Sequence, residues 1–136
     1  MAPTFNAIGH AAADMAATLA FYRKLGLEIP AEADHEPHAE AVLAGGIRLM
    51  WDTHELLKSL DPGWEPGPPG GSLAFLCADA AEVDAVYAEM VDAGFTGSQK
   101  PWNAEWGQRY AVLKDPDGNG VDLFAWLPAS DKPADQ

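Results

Sequence analysis

Asp122 lies two residues from Phe124, which lies two residues from Trp126. On an extended strand that spacing sets a carboxylate and two large rings on one face, with Val121, Leu123 and Ala125 on the other. An acidic, aromatic face of this kind can stack on a planar molecule and hold a cationic group against the acid. Upstream, Trp106-Gly-Gln-Arg-Tyr110 adds further rings, and Asp115-Pro-Asp-Gly-Asn-Gly120 supplies the proline and glycines of a tight turn. Residues 109–114 and 121–126 are therefore expected to pair as a hairpin, wholly apolar on one side.

The other residues able to do chemistry are scattered. His35, His38 and His54 lie in polar stretches without paired ligand spacing and read as solvated side chains. His10 reads as a hydrogen-bonded histidine between a strand and a helix. The single cysteine, Cys77, sits in an apolar run, excludes an internal disulfide, and reads as a small core residue. Five tryptophans are many for 136 residues. Trp51, Trp64, Trp102 and Trp106 fall at strand ends or in loops, where stacking on a ligand is a better account than core packing. For Trp51 packing in a dimer has equal weight, and Trp126 fits a core or an interface as well as a ligand.

Composition bounds the partners. The length is that of one ordinary domain. With 8 basic against 21 acidic residues the formal net charge is −13, which repels nucleic acid and anionic membrane and favours neutral or cationic molecules. The start Met-Ala-Pro-Thr-Phe lacks the pattern of a signal peptide, and no stretch has the length of a membrane span, so a cytoplasmic location is expected.

The elements that must position these residues come in two similar rounds. Residues 5–12 read as a strand, Asp14 as the cap of a helix from about Met15 to Leu25, and Gly26 as its stop. A polar passage follows, then strands at 41–43 and 47–51 around Gly45-Gly46. Residues 52–71 form a loop with a short helical patch at 55–60, either a linker or a lid carrying Trp64. The pattern then recurs: a strand from Ser72, Asp79 as a cap, helical spacing at Val83, Val86, Tyr87, Met90 and Val91, and Ala93-Gly94-Phe95 as the stop. Residues 96–108 read as a loop or irregular strand leading into the hairpin, and 129–136 as a polar tail.

A strand, a helix and three strands occurring twice, with Asp14, Phe21-Tyr22 and Leu25-Gly-Leu in the first copy and Asp79, Ala93-Gly-Phe and Lys114-Asp-Pro-Asp-Gly-Asn in the second, resembles the glyoxalase, bleomycin-resistance and dioxygenase superfamily, the vicinal oxygen chelate proteins. The resemblance implies an α+β fold of two βαβββ repeats, each curling its sheet into half of an open cup. It further implies a single domain over 1–128, with repeats at about 4–60 and 72–128 joined by loop 61–71. Metalloenzyme members carry ligands on the inner faces of four strands. The matching positions here are Ala7, Arg48, Leu73 and Asp122, of which only the last suits a divalent metal. The metal site is thus expected to be lost, with no metal and no other cofactor.

If Ala7 faces the cup, Gly9 and Ala11 do too and leave it roomy. The same parity argument assigns Leu73, Phe75 and Cys77 to the inner face beside Asp122, Phe124 and Trp126. The resemblance then implies the metal-free branch: a homodimer that sequesters an aromatic, DNA-damaging antibiotic of the bleomycin, mitomycin or enediyne kind. The expected ligand-binding residues are Arg48, Trp51, Trp64, Phe75, Trp102, Trp106, Tyr110, Asp122, Phe124 and Trp126. Two alternatives remain open: a metal-dependent lyase, isomerase or extradiol-type dioxygenase with a rearranged site using His10 and Asp122, and a metal-free enzyme with Asp122 as general base.

Overall fold

The computed structural model describes residues 2–129, and its elements follow the twofold pattern. In chain order they are β1 (Ala7–Ala12), α1 (Met15–Lys24), β2 (His38–Val42), β3 (Arg48–Thr53), α2 (His54–Leu60), β4 (Ser72–Leu76), α3 (Ala80–Asp92), β5 (Thr96–Ala104), β6 (Gln108–Lys114) and β7 (Gly120–Trp126). They fall into two compact units that divide between Pro68 and Pro69, inside the expected loop. The tail beyond Ala129 lies outside the described residues.

The same local chemistry starts and stops the main helix of each unit. Asp14 Oδ1 accepts the Ala17 amide at 3.1 Å, and Asp79 Oδ1 accepts that of Glu82 at 2.9 Å, each satisfying an amide that has no partner inside the helix. At the other ends Gly26 and Gly94 take φ of 109° and 98°. That left-handed turn lets Leu27 N–H reach the Tyr22 carbonyl and Phe95 N–H reach that of Met90, both at 3.1 Å. Asp-capped starts and glycine-closed ends are features the sequence repeats, and the backbone repeats them too.

In the first unit β3 runs between β1, parallel to it, and β2, antiparallel. Leu49 and Trp51 point to the side covered by α1, where the Tyr22 and Trp51 rings lie 5.1 Å apart. The sheet has three strands rather than the four that a full repeat implies, because residues 31–35 form a 3-10 turn in place of an edge strand. Pro30 and Pro37 flank that stretch and cannot donate to a ladder. Arg23 holds it in place, with Nε on the Ile29 carbonyl at 2.9 Å, Nη2 on that of Pro30 at 2.6 Å and Nη1 on Asp34 at 2.8 Å.

The second unit is a complete repeat with strand order β4-β7-β6-β5. Its helix side is a core of Val83, Met90, Ala111, Leu113, Val121, Leu123 and Ala125, all buried. Arg109 on that side grips Asp84 of α3, with Nε on Oδ1 at 2.9 Å and Nη2 on Oδ2 at 3.2 Å. Residues 96–104 form a continuous strand with register shifts, the more ordered of the two forms expected for this stretch. Cys77 is buried, its amide donating to the Phe124 carbonyl at 2.7 Å, and burial pushes its thiol up, away from the reactive thiolate.

Candidate functional site

The turn between β6 and β7 is built around one buried carboxylate. Asp115 Oδ1 accepts the amides of Asp117 and Asn119, both at 2.9 Å, and Oδ2 takes the Asn119 side-chain amide at 3.1 Å. Gly118, with φ of 87°, completes the reversal, and a side chain there would press on Pro69 at 2.9 Å. This turn fixes the register Tyr110↔Phe124 and Val112↔Asp122. Every residue of β6 and β7 is thereby assigned to the α3 side or to the open side.

The open side carries Trp102 on β5, Tyr110 on β6 and Asp122, Phe124 and Trp126 on β7, with Trp106 from the bend between β5 and β6. These rings form a connected wall. Trp102, Trp106 and Tyr110 meet edge to face, with centroids 6.0, 5.6 and 5.3 Å apart, Tyr110 and Phe124 stack across strands at 6.4 Å, and Trp126 stands at right angles to Phe124 at 6.1 Å. Trp106 is 53% exposed and Trp126 66%, so the wall keeps free area for a partner. The Trp106 indole N–H donates to Gln108 Oε1 at 2.9 Å, which fixes that ring. The Tyr110 hydroxyl donates to Asp122 Oδ2, and burial together with this bond pushes the phenol up to about 12.

The open side of the first sheet has a different character. The register Ala7↔Arg48, Gly9↔Met50 and Ala11↔Asp52 places the small residues of β1 beside Arg48, as the parity of the sequence predicts. Arg48 reaches Asn6 Oδ1 with Nε at 2.9 Å and Nη2 at 2.7 Å, and Glu40 with Nη1 at 2.7 Å. Next along this network is His38, whose Nε2 meets Glu40 at 2.8 Å and whose Nδ1 meets Asp52 at 2.5 Å. The bond to Glu40, then that to Asp52, raises the His38 pKa above 6.5, and the same bond, with that to Arg48, lowers Glu40 below 4.5. His38 is exposed, as its polar surroundings suggest, and its ring is in addition held between two carboxylates. The cluster was partly visible in the two-residue spacing of His38 and Glu40; Asp52 joins it only through strand pairing.

Four of the expected ligand-binding residues stand elsewhere, Arg48 among them in the polar network of the first sheet. Trp51 is fully buried against Tyr22 and belongs to the core of the first unit, so its indole is not offered to a ligand. Phe75 pairs in register with Leu123, and Leu73 with Val121, on the α3 side; Ala74 is the residue beside Asp122. Trp64 belongs to the first unit, half-buried beside the His54 ring at a centroid distance of 5.1 Å, within a turn held by Asp61. His10 pairs with Trp51 and so lies on the helix side of its sheet, opposite Arg48 and Asp52.

The chain belongs to the Glyoxalase/Bleomycin resistance protein/Dioxygenase superfamily, whose family model matches residues 4–123. It is similar to the crystal structure of a glyoxalase/bleomycin resistance protein/dioxygenase from Nocardioides, at 22% identity over 100% of this chain and 91% of that one, with a TM-score of 0.73. A family enzyme from Burkholderia phytofirmans PsJN gives 21% identity over 92% and 100% of the two chains, with a TM-score of 0.77. A lactoylglutathione lyase from Agrobacterium tumefaciens gives 21% over 92% and 95%, with a TM-score of 0.68. At these identities the likeness is one of fold. No curated protein matches the chain.

The residues at the family's metal-ligand positions do not fit a metal ion. The first sheet offers the partners Ala7 and Arg48; in the second, Leu73, the expected third position, pairs with Val121 and leaves Ala74 beside Asp122, and of all these only Asp122 is a ligand for a divalent metal. His38 does not replace them. Both its ring nitrogens face carboxylates, an arrangement that favours the doubly protonated ring, which has no lone pair for a metal. No helix among the described residues is long and apolar enough to cross a membrane.

Proposed function

We propose that this protein binds a flat aromatic small molecule, of the kind found among DNA-damaging antibiotics, on the open side of its second sheet and holds it without breaking a bond. The observation that carries this reading is the connected wall of Trp102, Trp106, Tyr110, Phe124 and Trp126, with two indoles exposed. Each ring contact with a planar ligand contributes roughly 0.5–1.5 kcal/mol beyond the area it buries. The residues at the metal-ligand positions favour binding over the metal-assisted chemistry of other superfamily members.

Titration of tryptophan fluorescence with bleomycins, mitomycins, enediynes and other planar antibiotics tests the reading, with mass spectrometry of the recovered ligand. Quenching with the ligand returned unchanged is expected. A chemically altered ligand replaces sequestration with catalysis, and no quenching by any compound removes the reading. A homodimer is part of the same proposal. Trp126 is the ring that either a ligand or a second copy would cover, and sedimentation with and without ligand separates the two.

A further inference from the structure

The open side of the second sheet leaves an acceptor unspent at the edge of its aromatic wall. Asp122 receives the Tyr110 hydroxyl on Oδ2, and among the described residues no other donor reaches this carboxylate. Its neighbours in register, Ala74 on β4 and Val112 on β6, have no polar side chain to offer. Oδ1 therefore keeps its capacity for a partner, beside rings that exclude water from part of the surface.

The free carboxylate oxygen decides which cation suits the site. A quaternary ammonium can be attracted to the ring faces of Trp102, Trp106 and Tyr110, but it has no N–H to give and leaves Asp122 Oδ1 unspent. A cation bearing an N–H uses both. It lays its ring system on the exposed indoles and donates a charge-assisted hydrogen bond to the carboxylate at their edge.

Resting on the aromatic-ligand reading above, we propose that the ligand is a flat aromatic cation carrying an N–H donor, a protonated amine or amidine, with Asp122 Oδ1 as its acceptor. Tyr110 is a positioning residue: its hydroxyl holds Oδ2 and so turns Oδ1 towards the ligand. The acidity of the whole chain, at a net charge of −13, favours the same class of molecule.

Isothermal titration near neutral pH with three matched probes tests this: aminoacridine, a planar cation with N–H donors; N-methylacridinium, a planar quaternary cation; and neutral acridine. Aminoacridine should bind about tenfold tighter than either of the others, as one charge-assisted hydrogen bond predicts. Asp122→Asn should bring all three to similar affinity. Tyr110→Phe, which keeps the ring, should weaken aminoacridine while leaving acridine unchanged, a split that a merely structural role does not produce. Equal binding of aminoacridine and N-methylacridinium overturns the N–H assignment, as does a preference that survives in Asp122→Asn. Equal binding of acridine and aminoacridine overturns the cation assignment and leaves the aromatic reading standing. Failure of all three to bind overturns both.

Discussion

The open sides of the two sheets descend from one repeated pattern and differ in what they leave unsatisfied. In the first unit Asn6, Arg48, Glu40, His38 and Asp52 form a chain of hydrogen bonds in which each charge has a partner of its own. In the second, five aromatic rings form a connected wall, and the Asp122 carboxylate beside it is half used. A face whose polar groups satisfy one another has little to gain from a ligand, since binding would exchange bonds already made. A face of exposed indoles with a spare acceptor gains on both counts. Polarity alone does not mark a site; unspent hydrogen-bonding and stacking capacity does.

The largest effect should come from the tryptophan that the structure moves out of the site. Trp51→Ala empties the core of the first unit and is expected to cost about 4 kcal/mol in denaturant unfolding, whereas Trp126→Ala should stay within about 0.5 kcal/mol. Equal costs would erase the distinction between a core indole and a surface one. Next comes Asp115→Ala. It removes three hydrogen bonds to a buried carboxylate and should cost about 3 kcal/mol. Because the turn sets the register of Asp122, loss of ligand binding should accompany it.

Tyr110 gives a spectroscopic measure of the second face. Ultraviolet titration should show one tyrosine ionising at about 12, and that transition should be absent in Tyr110→Phe. In Asp122→Asn it should move down, towards the ordinary value of 10, because a charge that opposes ionisation of the phenol is gone.

The smallest effect belongs to the first face. His38 has a folded-state pKa above 6.5, so its contribution to stability is complete below that value and is lost as pH rises through the folded pKa. Glu40, held below 4.5, contributes above that value and loses its contribution as pH falls through its folded pKa. The network should therefore stabilise most between about 4.5 and 6.5. Thermal melts of the wild type should show a modest decline from this window to mildly alkaline pH. A smaller decline is expected in His38→Gln, and an identical one would mean that the network contributes nothing.

Much of the second face was legible in the sequence, and the reason is the turn. Asp115-Pro-Asp-Gly-Asn-Gly120 fixes where the chain reverses, and from there the two-residue period assigns Asp122, Phe124 and Trp126 to one side without further information. β4 has no such anchor. Ser72-Leu-Ala-Phe-Leu-Cys is apolar on both parities, so the period separates two faces without saying which is open; pairing with β7 decides it and sets Leu73 and Phe75 on the α3 side, not on the expected inner face. Trp51 shows the opposite failure. Its alternation with Arg48, Met50 and Asp52 already placed it beside Leu49 on the buried side, yet its position at a strand end suggested a ligand contact. The 3-10 turn at 31–35 was marked by Pro30 and Pro37, while the grip of Arg23 that holds it depends on a fold that brings Asp34 back to α1.

Ligand capacity is proposed to reside on the aromatic face and not on the polar one. The most direct measurement is isothermal titration of the planar compound that most strongly quenches the wild-type protein, repeated with Trp106→Ala and with His38→Gln, each verified as folded. Affinity should fall at least about tenfold in Trp106→Ala, which loses stacking area and the ring fixed by Gln108, and should be unchanged in His38→Gln. Unchanged affinity in Trp106→Ala with a loss in His38→Gln would contradict the account and place the ligand on the first sheet.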